Sequence, residues 1–312
     1  MMPFFYSSFW KSEIAVDLGT AKICVSAGMH ANFTRQSRIN GRAALHSGVV
    51  SDRSAVVEIL KDLLSKAKIT GFLRPRVVAC APSDATGDEL DAIKDCVGRA
   101  GVSAIIIVSE PLAAAIGAGV DISSSYANMI LDIGEGVTDC AIIKEGQLHH
   151  THAVRIGCED LRNAVVDIVW KICGTHIKAD KAEQILREIG VLHSSVQEIC
   201  HATHEHEMCL QSLPAKITLD EIRSVIMPIL DQMLSGAVTL MRNIPPEIGC
   251  EIIENGIHLT GGGALLKGMR ELVELKTHLD VITAQKPLGT VITGARAMLP
   301  VALLQNRWEK CH

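Results

Sequence analysis

The chemistry-bearing residues of this chain gather at three glycine turns. Asp132 to Asp139 reads DIGEGVTD and lies between the apolar runs NMILDI and CAII. That spacing predicts a tight hairpin whose glycines let backbone amides converge on a phosphate, although Glu135 puts an acid inside it. Near the start, EIAVDL and KICVSAG flank Gly19-Thr20-Ala21 as another hairpin, with Asp17 just ahead of the turn. Toward the end, NGIHLTGGGALLKGMRELVEL reads as strand, glycine turn, helix. Its glycines allow close backbone approach to a flat or anionic ligand, and the helix start adds a positive dipole end. One such turn is ordinary chain punctuation; three at strand ends form a pattern.

The elements around these turns alternate. RVVACAPS reads as a buried strand, GDELDAIKDCVGRAG as an amphipathic helix ending at a glycine cap, and SAIIIVSEP as a strand leading into the Ala-rich helix PLAAAIGAG. The hairpin pattern then restarts at ANMILDIGEGVTDCAIIKEGQL. A repeated run of strand pair, strand, helix and strand predicts an α/β fold with a duplicated lobe and a cleft between the copies. DLRNAVVDIVWKICG and DKAEQILREIG read as helices, and Thr218-x-x-Glu221 as a capping box opening a long one.

Composition narrows the class. At 312 residues and 48% hydrophobic the chain can bury substantial cores, and its net charge of −5 offers no general attraction to nucleic acid. The ten cysteines are scattered singly without a C-x-x-C pair, which predicts reduced thiols in a cytosol. No uninterrupted apolar run approaches the roughly 20 residues of a bilayer span, so a soluble or peripheral protein is expected. Five of the ten aromatic residues fall within MMPFFYSSFW. If that stretch becomes helical, Phe5 and Phe9 share one face and Tyr6 and Trp10 another, an amphipathic segment fit to enter a headgroup layer with Lys11 at its rim; packing on its own domain or on a partner is the alternative.

The order of the turns, DLGT, then SEPLAAAIGAG and DIGEGVTD, then LTGGGALLKG, resembles the motif series of the actin and heat-shock-chaperone ATPase superfamily, and most closely its bacterial branch, the MreB family. The resemblance runs from about residue 12 to 300 and includes RPRVVACAPSDAT, VRIGCEDL, AEQILREIG, LPAKITLDEIR, PPEIGCEIIENGI and PLGTVITGARAML. It implies an actin-like ATPase fold, two lobes each with a mixed sheet and flanking helices on a duplicated ribonuclease-H-like core around a nucleotide cleft. The expected divisions are a membrane-binding segment at 1–11 and a first lobe at 12–150 with a reduced subdomain at about 31–70. A second lobe at 151–294, with its own small subdomain at about 176–250, and a C-terminal helix at 295–312 returning to the first lobe complete it.

The resemblance also implies ATP and Mg2+ as cofactors and assigns residues. Gly19, Thr20, Ala21 and Lys22 would cradle the β- and γ-phosphates, and Gly134, Glu135 and Gly136 would form the second phosphate loop. Asp17 and Asp132 would hold magnesium through water. Glu110 of the SEP turn would orient the attacking water and Asp139 would close the second loop, both as catalytic residues; positioning is most of phosphoryl-transfer catalysis. Gly261, Gly262, Gly263 and Ala264 would face the adenosine. Glu183 and position 186 would lie near the ribose. Phe4, Phe5, Phe9 and Trp10 match the membrane-binding start of many MreB proteins. The implied partners are further copies in a filament, the inner membrane surface and cell-wall-synthesis membrane proteins, with no nucleic acid. The implied function is a cytoplasmic, membrane-peripheral filament that controls cell shape and positions wall synthesis, with slow ATP hydrolysis serving filament dynamics.

Several positions depart from the pattern. Lys22 stands where the family usually has Asn. Leu186 replaces a lysine, with Arg187 or Lys181 as the candidate substitutes. The stretch between Lys22 and Arg76 is markedly short, which predicts a reduced subdomain and a more open cleft. Glu135 replaces a glycine, although actin also carries an acid there. An uncompensated acid about 5 Å from a phosphate oxygen costs on the order of 3 kcal/mol at an effective dielectric near 20. The expected arrangement therefore has the Glu135 amide facing the phosphate and its carboxylate facing the metal's water shell or solvent. The histidines and cysteines of CHATHEHEMC, residues 200–209, fit no structural zinc spacing and read as a surface loop. The alternatives are a non-polymerising actin-fold ATPase of chaperone or reactivating type associated with microcompartments, and a specialised filament paralogue such as the magnetosome-organising type. A small-molecule kinase is weaker, because no acceptor pocket with a base is identifiable.

Overall fold

A computed structural model describes residues 13–27, 31–67, 74–191, 217–305 and 309–311. The chain divides into two compact units, Met1–Ile122 with Leu288–His312 and Ser123–Pro287. The first division therefore falls well before residue 150, and the return falls at Pro287–Leu288. The cause is hydrogen bonding: the strand Asn128–Ile133 pairs antiparallel with Thr138–Lys144 and parallel with Ile257–Thr260, so the DIGEGVTD hairpin belongs to the sheet of the second unit.

In the first unit, β1 (Glu13–Leu18), β2 (Lys22–Ala27) and β3 (Ala31–Gln36) form an antiparallel meander. Two small hairpins follow, β4 (Arg38–Ile39) with β5 (Arg42–Ala43) and β6 (Leu45–His46) with β7 (Val49–Val50). Their two-residue turns, Asn40-Gly41 and Ser47-Gly48, have positive φ at both positions, the backbone that two-residue hairpins demand. Helix α1 (Arg53–Lys66) comes next, then β8 (Arg76–Ala81), α2 (Gly87–Arg99) and β9 (Ala104–Ser109). β8 and β9 run parallel to β1, and β15 (Glu309–Lys310) caps the far edge.

Alternation along these strands sends side chains to two faces. Ile14, Val16, Ile23, Val25, Val77 and Ala79 pack under α1 and α2, whereas Ala15, Cys24, Val78 and Cys80 pack with Ala113, Ile292 and Ala295 on the opposite face. The latter three come from α3 (Glu110–Ala118) and α9 (Thr290–Ala297). These two helices touch backbone to backbone. A Cβ at Gly117 would lie 1.9 Å from the Thr290 carbonyl oxygen, and one at Gly294 would lie 1.8 Å from that of Ala113.

The second unit repeats the plan. β10 (Asn128–Ile133), β11 (Thr138–Lys144) and β12 (Gln147–Val154) form the meander; β13 (Ile257–Thr260) and β14 (Val281–Thr283) add in parallel beside β10. The sheet order β12-β11-β10-β13-β14 mirrors β3-β2-β1-β8-β9 strand for strand, which is the duplication expected from the repeated turns. Its core gathers Met129, Leu131 and Ile133 of β10 with helices α4 (Cys158–Cys173), α5 (Ala179–Ile189) and α6 (Leu219–Asn243). α4 contributes Leu161, Val165 and Val169, fully buried at helical spacing, each worth roughly 1.5–3 kcal/mol of transfer free energy. α6 is long and apolar enough to cross a bilayer by length and composition. Its Ile222, Ile226, Leu230, Met233 and Leu234 nevertheless pack into this core, and its capping box from Thr218 to Glu221 is formed.

α7 (Pro246–Asn255) and α8 (Met269–Thr277) complete the unit. Glu251 of α7 accepts the Ala127 amide at 2.7 Å and pairs with Lys144, which fixes the entry to β10. One expectation is corrected here. The glycine turn after β13 leads into a single 3-10 turn, Gly262–Leu265, and the α-helix begins only at Met269. Gly268 at φ +81 and extended Leu266 interrupt the helix, so the positive dipole end lies at Met269 rather than at the glycines.

Candidate functional site

Each meander turns at a four-residue loop opened by glycine. Leu18 pairs with Ile23 around Gly19–Lys22, and Ile133 with Thr138 around Gly134–Val137. The two turns close alike: a Cβ at Gly19 would meet the Lys22 carbonyl oxygen at 3.0 Å, and one at Gly134 would meet that of Val137 at 2.8 Å. An acid precedes each loop at the same position, Asp17 on β1 and Asp132 on β10. Both loops also lie at the carboxyl ends of parallel strands, the place where open α/β sheets take ligands.

In the first unit, neighbouring backbone braces the loop. Ser37 donates its hydroxyl to the Gly19 carbonyl at 2.6 Å and its amide to the Ala21 carbonyl at 3.0 Å. The Gly48 amide donates to Thr20 Oγ1 at 2.9 Å. Thr20, one of the residues expected to cradle the phosphates, thus has its hydroxyl oxygen held by the Gly48 amide. Ala21 is exposed and Lys22 half-buried, facing Gln36 across the ladder. Burial pushes the Asp17 carboxyl up to about 6, with Lys22 pulling the other way. Glu110 opens α3 at the end of β9, half-buried. Because β1, β8 and β9 are parallel neighbours, Glu110 and the first loop share one sheet end, two strand spacings or roughly 10 Å apart.

In the second unit, Asp132 is 8% exposed and accepts the Thr260 hydroxyl at 3.0 Å. Asp139 is 1% exposed and directly opposite Asp132 in register, so the two carboxylates share a face of the sheet. The glycines after β13 approach the protein's own backbone. A Cβ at Gly261 would fall 2.3 Å from the Ile133 carbonyl oxygen and 2.4 Å from Asp132 Oδ1, and one at Gly263 would fall 2.2 Å from Ile133 Cγ2. These two positions are therefore set by the packing of the turn on β10, whatever ligand it meets. Gly262 and Ala264 are half-buried in the 3-10 turn.

The start of α4 holds the second loop from behind. The Cys158 amide donates to the Gly134 carbonyl at 3.1 Å and the Glu159 amide to the Glu135 carbonyl at 2.8 Å, so two otherwise orphaned helix donors are satisfied by the loop. Gly157 is required at this contact, since a Cβ there would lie 2.4 Å from the Glu135 carbonyl oxygen. Burial pushes the Cys158 thiol beside the loop up to about 12, and its side chain packs against the core of the unit.

Two expectations about this unit are corrected. The Glu135 carboxylate is not left to solvent or a metal's water shell alone: both its oxygens accept from the guanidinium of Arg162 on α4, one of the two contacts being Nη1 to Oε2 at 3.0 Å. Arg162 also donates to Glu183 on α5 at 3.1 Å, and Glu183 in turn accepts from Arg187 at 2.9 Å. Burial opposes the Arg162 charge, but Glu135 and Glu183 outweigh it and raise its pKa. Leu186 is 2% exposed and locked in the core beside Ala182, Ile185 and Ile189, so it has no surface to offer a ligand. Phe4, Phe5, Phe9 and Trp10, like the histidine-rich segment 200–209, lie outside the described residues. Arg162, Ser37, Gly48 and Gly157 are the supporting residues that motif reading passed over, because their partners are distant in the chain.

Comparison with known proteins places the chain in a family. The family model described as MreB/Mbl protein matches residues 33–304. The cell shape-determining protein MreB of Escherichia coli strain K12 is 32% identical over 254 residues, spanning 80% of this chain and 73% of the relative. Among solved structures, MreB 5 of Spiroplasma citri bound to AMPPNP superimposes with a TM-score of 0.81 at 24% identity, covering 95% of this chain and 98% of that one. The MamK double helical filament follows at 0.73 and 16% identity, covering 94% and 99%. The chain thus belongs to the MreB/Mbl family of actin-like cytoskeletal proteins and has the actin-like ATPase fold.

Proposed function

We propose that this chain binds ATP with magnesium through its two glycine loops and polymerises into membrane-associated filaments that control cell shape and position wall synthesis, hydrolysis being slow and serving disassembly. The observation that carries this reading is the paired design: an acid, one residue, then a four-residue glycine loop, at the carboxyl end of parallel strands in each unit. Backbone amides of such turns suit phosphate oxygens. The AMPPNP bound to a structural neighbour and the filament formed by another support nucleotide binding and self-assembly.

The donor set fits magnesium. Among the described residues no group of three or more His, Cys, Asp or Glu is placed to hold a metal by itself. One or two carboxylates with water and phosphate oxygens is the coordination that magnesium favours, and Asp17 and Asp132 are the carboxylates at the loops. When bound, the cation would neutralise phosphate charge. Glu110, at the same sheet end as the first loop, would orient the attacking water, and Asp139 would support Asp132 from the facing strand.

One observation favours a second reading. Between β3 and α1 the chain carries only two short hairpins, 38–43 and 45–50, where a larger arm would offer more surface for longitudinal contacts; a non-polymerising nucleotide-dependent protein would need no such arm. Sedimentation of the purified chain with ATP and magnesium, with and without anionic liposomes, separates the two. Pelleting that depends on ATP supports the filament, and no pelleting in either condition overturns it.

A further inference from the structure

We propose that Arg162 is a positioning residue of the nucleotide site, neutralising Glu135 so that the second loop can accept a phosphate while tying that loop to α5. This rests on the reading of the loop as a phosphate site. Three observations carry it. First, the guanidinium closes on both oxygens of Glu135 and is itself only 13% exposed, with Glu135 at 21%. A fork this sheltered is strong and directional. Second, Arg162 is shared: the same Nη1 that reaches Glu135 also reaches Glu183. Third, Arg162 stands one turn after Cys158 and Glu159, whose amides hold the carbonyls of Gly134 and Glu135. α4 thus grips the loop twice, through its main chain and through the Glu135 side chain.

The charges balance locally. Glu135 and Glu183 face Arg162 and Arg187 in one chain of contacts, and only Arg187 is mostly exposed, at 60%. Removing Arg162 leaves an unpaired carboxylate on the loop that is to receive an anion. Its repulsion scales with ligand charge, so a triphosphate suffers and an uncharged nucleoside does not. Loss of general structure would weaken both alike.

The test is titration of the full chain with ATP and with adenosine, in the presence of magnesium. For Arg162→Met we expect ATP affinity to fall at least about tenfold and adenosine affinity by less than about threefold. Adding Glu135→Gly to that variant should restore ATP affinity to within about threefold of the Glu135→Gly single variant, because the charge to be neutralised is gone. Arg162→Lys, which keeps the charge without the fork, should fall between. Glu135→Gln alone, which needs no disruption of α4, should change ATP affinity by less than about tenfold. Equal loss for ATP and adenosine, failure of the double variant to recover, or a gain of about a hundredfold in Glu135→Gln each overturns the inference. A wild-type chain that binds no ATP removes the functional reading and this inference with it. A wild type that binds ATP no better than Arg162→Met removes this inference alone.

Discussion

Gly294→Ala offers the sharpest perturbation of the first unit. The new Cβ would sit 1.8 Å from the Ala113 carbonyl oxygen, against the 3.4 Å of ordinary contact, so α3 and α9 must part by about 1.6 Å at their crossing. Neither obstructing atom can rotate away, since both are fixed in helical backbone. Parting the helices withdraws Ile292 and Ala295 from Ala113, Cys24 and Val78 in the smaller core of that unit. Overpacking costs typically 1–3 kcal/mol, and a backbone clash belongs at the upper end, about 3 kcal/mol, a large share of the 5–15 kcal/mol that holds an ordinary domain. Displacement of α3 also moves Glu110 at its first position, and about 1 Å of misplacement can cost on the order of a hundredfold in rate. Urea unfolding and ATP turnover read the two effects. Gly87→Ala, whose Cβ would meet nothing within 4 Å at the start of α2, is the matched control and should be neutral or slightly stabilising. A Gly294→Ala protein within about 0.5 kcal/mol of wild type would refute the backbone-contact argument.

Three further outcomes are expected. Gly157→Ala, whose Cβ would lie 2.4 Å from the Glu135 carbonyl oxygen, should displace the second loop and weaken ATP binding at least about tenfold, read by fluorescence titration, while far-UV circular dichroism shows helix content retained. Glu110→Gln should abolish most ATP hydrolysis while leaving ATP affinity within about threefold; equal loss of both would place Glu110 in binding instead. Asp17 is raised from 3.8 to about 6 by burial, so its contribution to stability is fully present below about pH 4 and is lost as pH rises through about 6. Nucleotide-free Asp17→Asn should therefore be the more stable protein at pH 7 and lack that part of the pH dependence, as thermal melts across pH 4–7 would register.

Local chemistry made much of the fold readable in advance. The acid-and-glycine turns marked both hairpins, and the Thr218 capping box sits where its spacing implied. Asn40-Gly41 is a strong hairpin signal too, but strands of two residues are too short for alternation to reveal. The boundary at Ser123 coincides with the serine run of residues 123–125, but so short a polar run between apolar segments does not by itself distinguish a unit boundary from an ordinary loop. Leu186 illustrates a conflict between resemblance and periodicity. Ala182, Ile185, Leu186 and Ile189 form an i, i+3, i+4, i+7 stripe, and that pattern sends the position inward. The Glu135–Arg162 pair spans 27 residues, and no local rule anticipates a contact that depends on where α4 meets the loop. The 3-10 turn was hidden for a similar reason: Gly268 looks like one more helix-proximal glycine until its positive φ is seen.

The short arm of the first unit acquires a meaning from a single hydrogen bond. Gly48 lies at the tip of the β6–β7 hairpin, and its amide holds the hydroxyl of Thr20 inside the first loop. Ser37, just before β4, holds the other side of the same loop. So short an arm is a lever with almost no length: whatever grips the Ser47-Gly48 turn from outside pulls on Thr20 through one bond, and whatever reorders Thr20 is felt at the turn through the same bond.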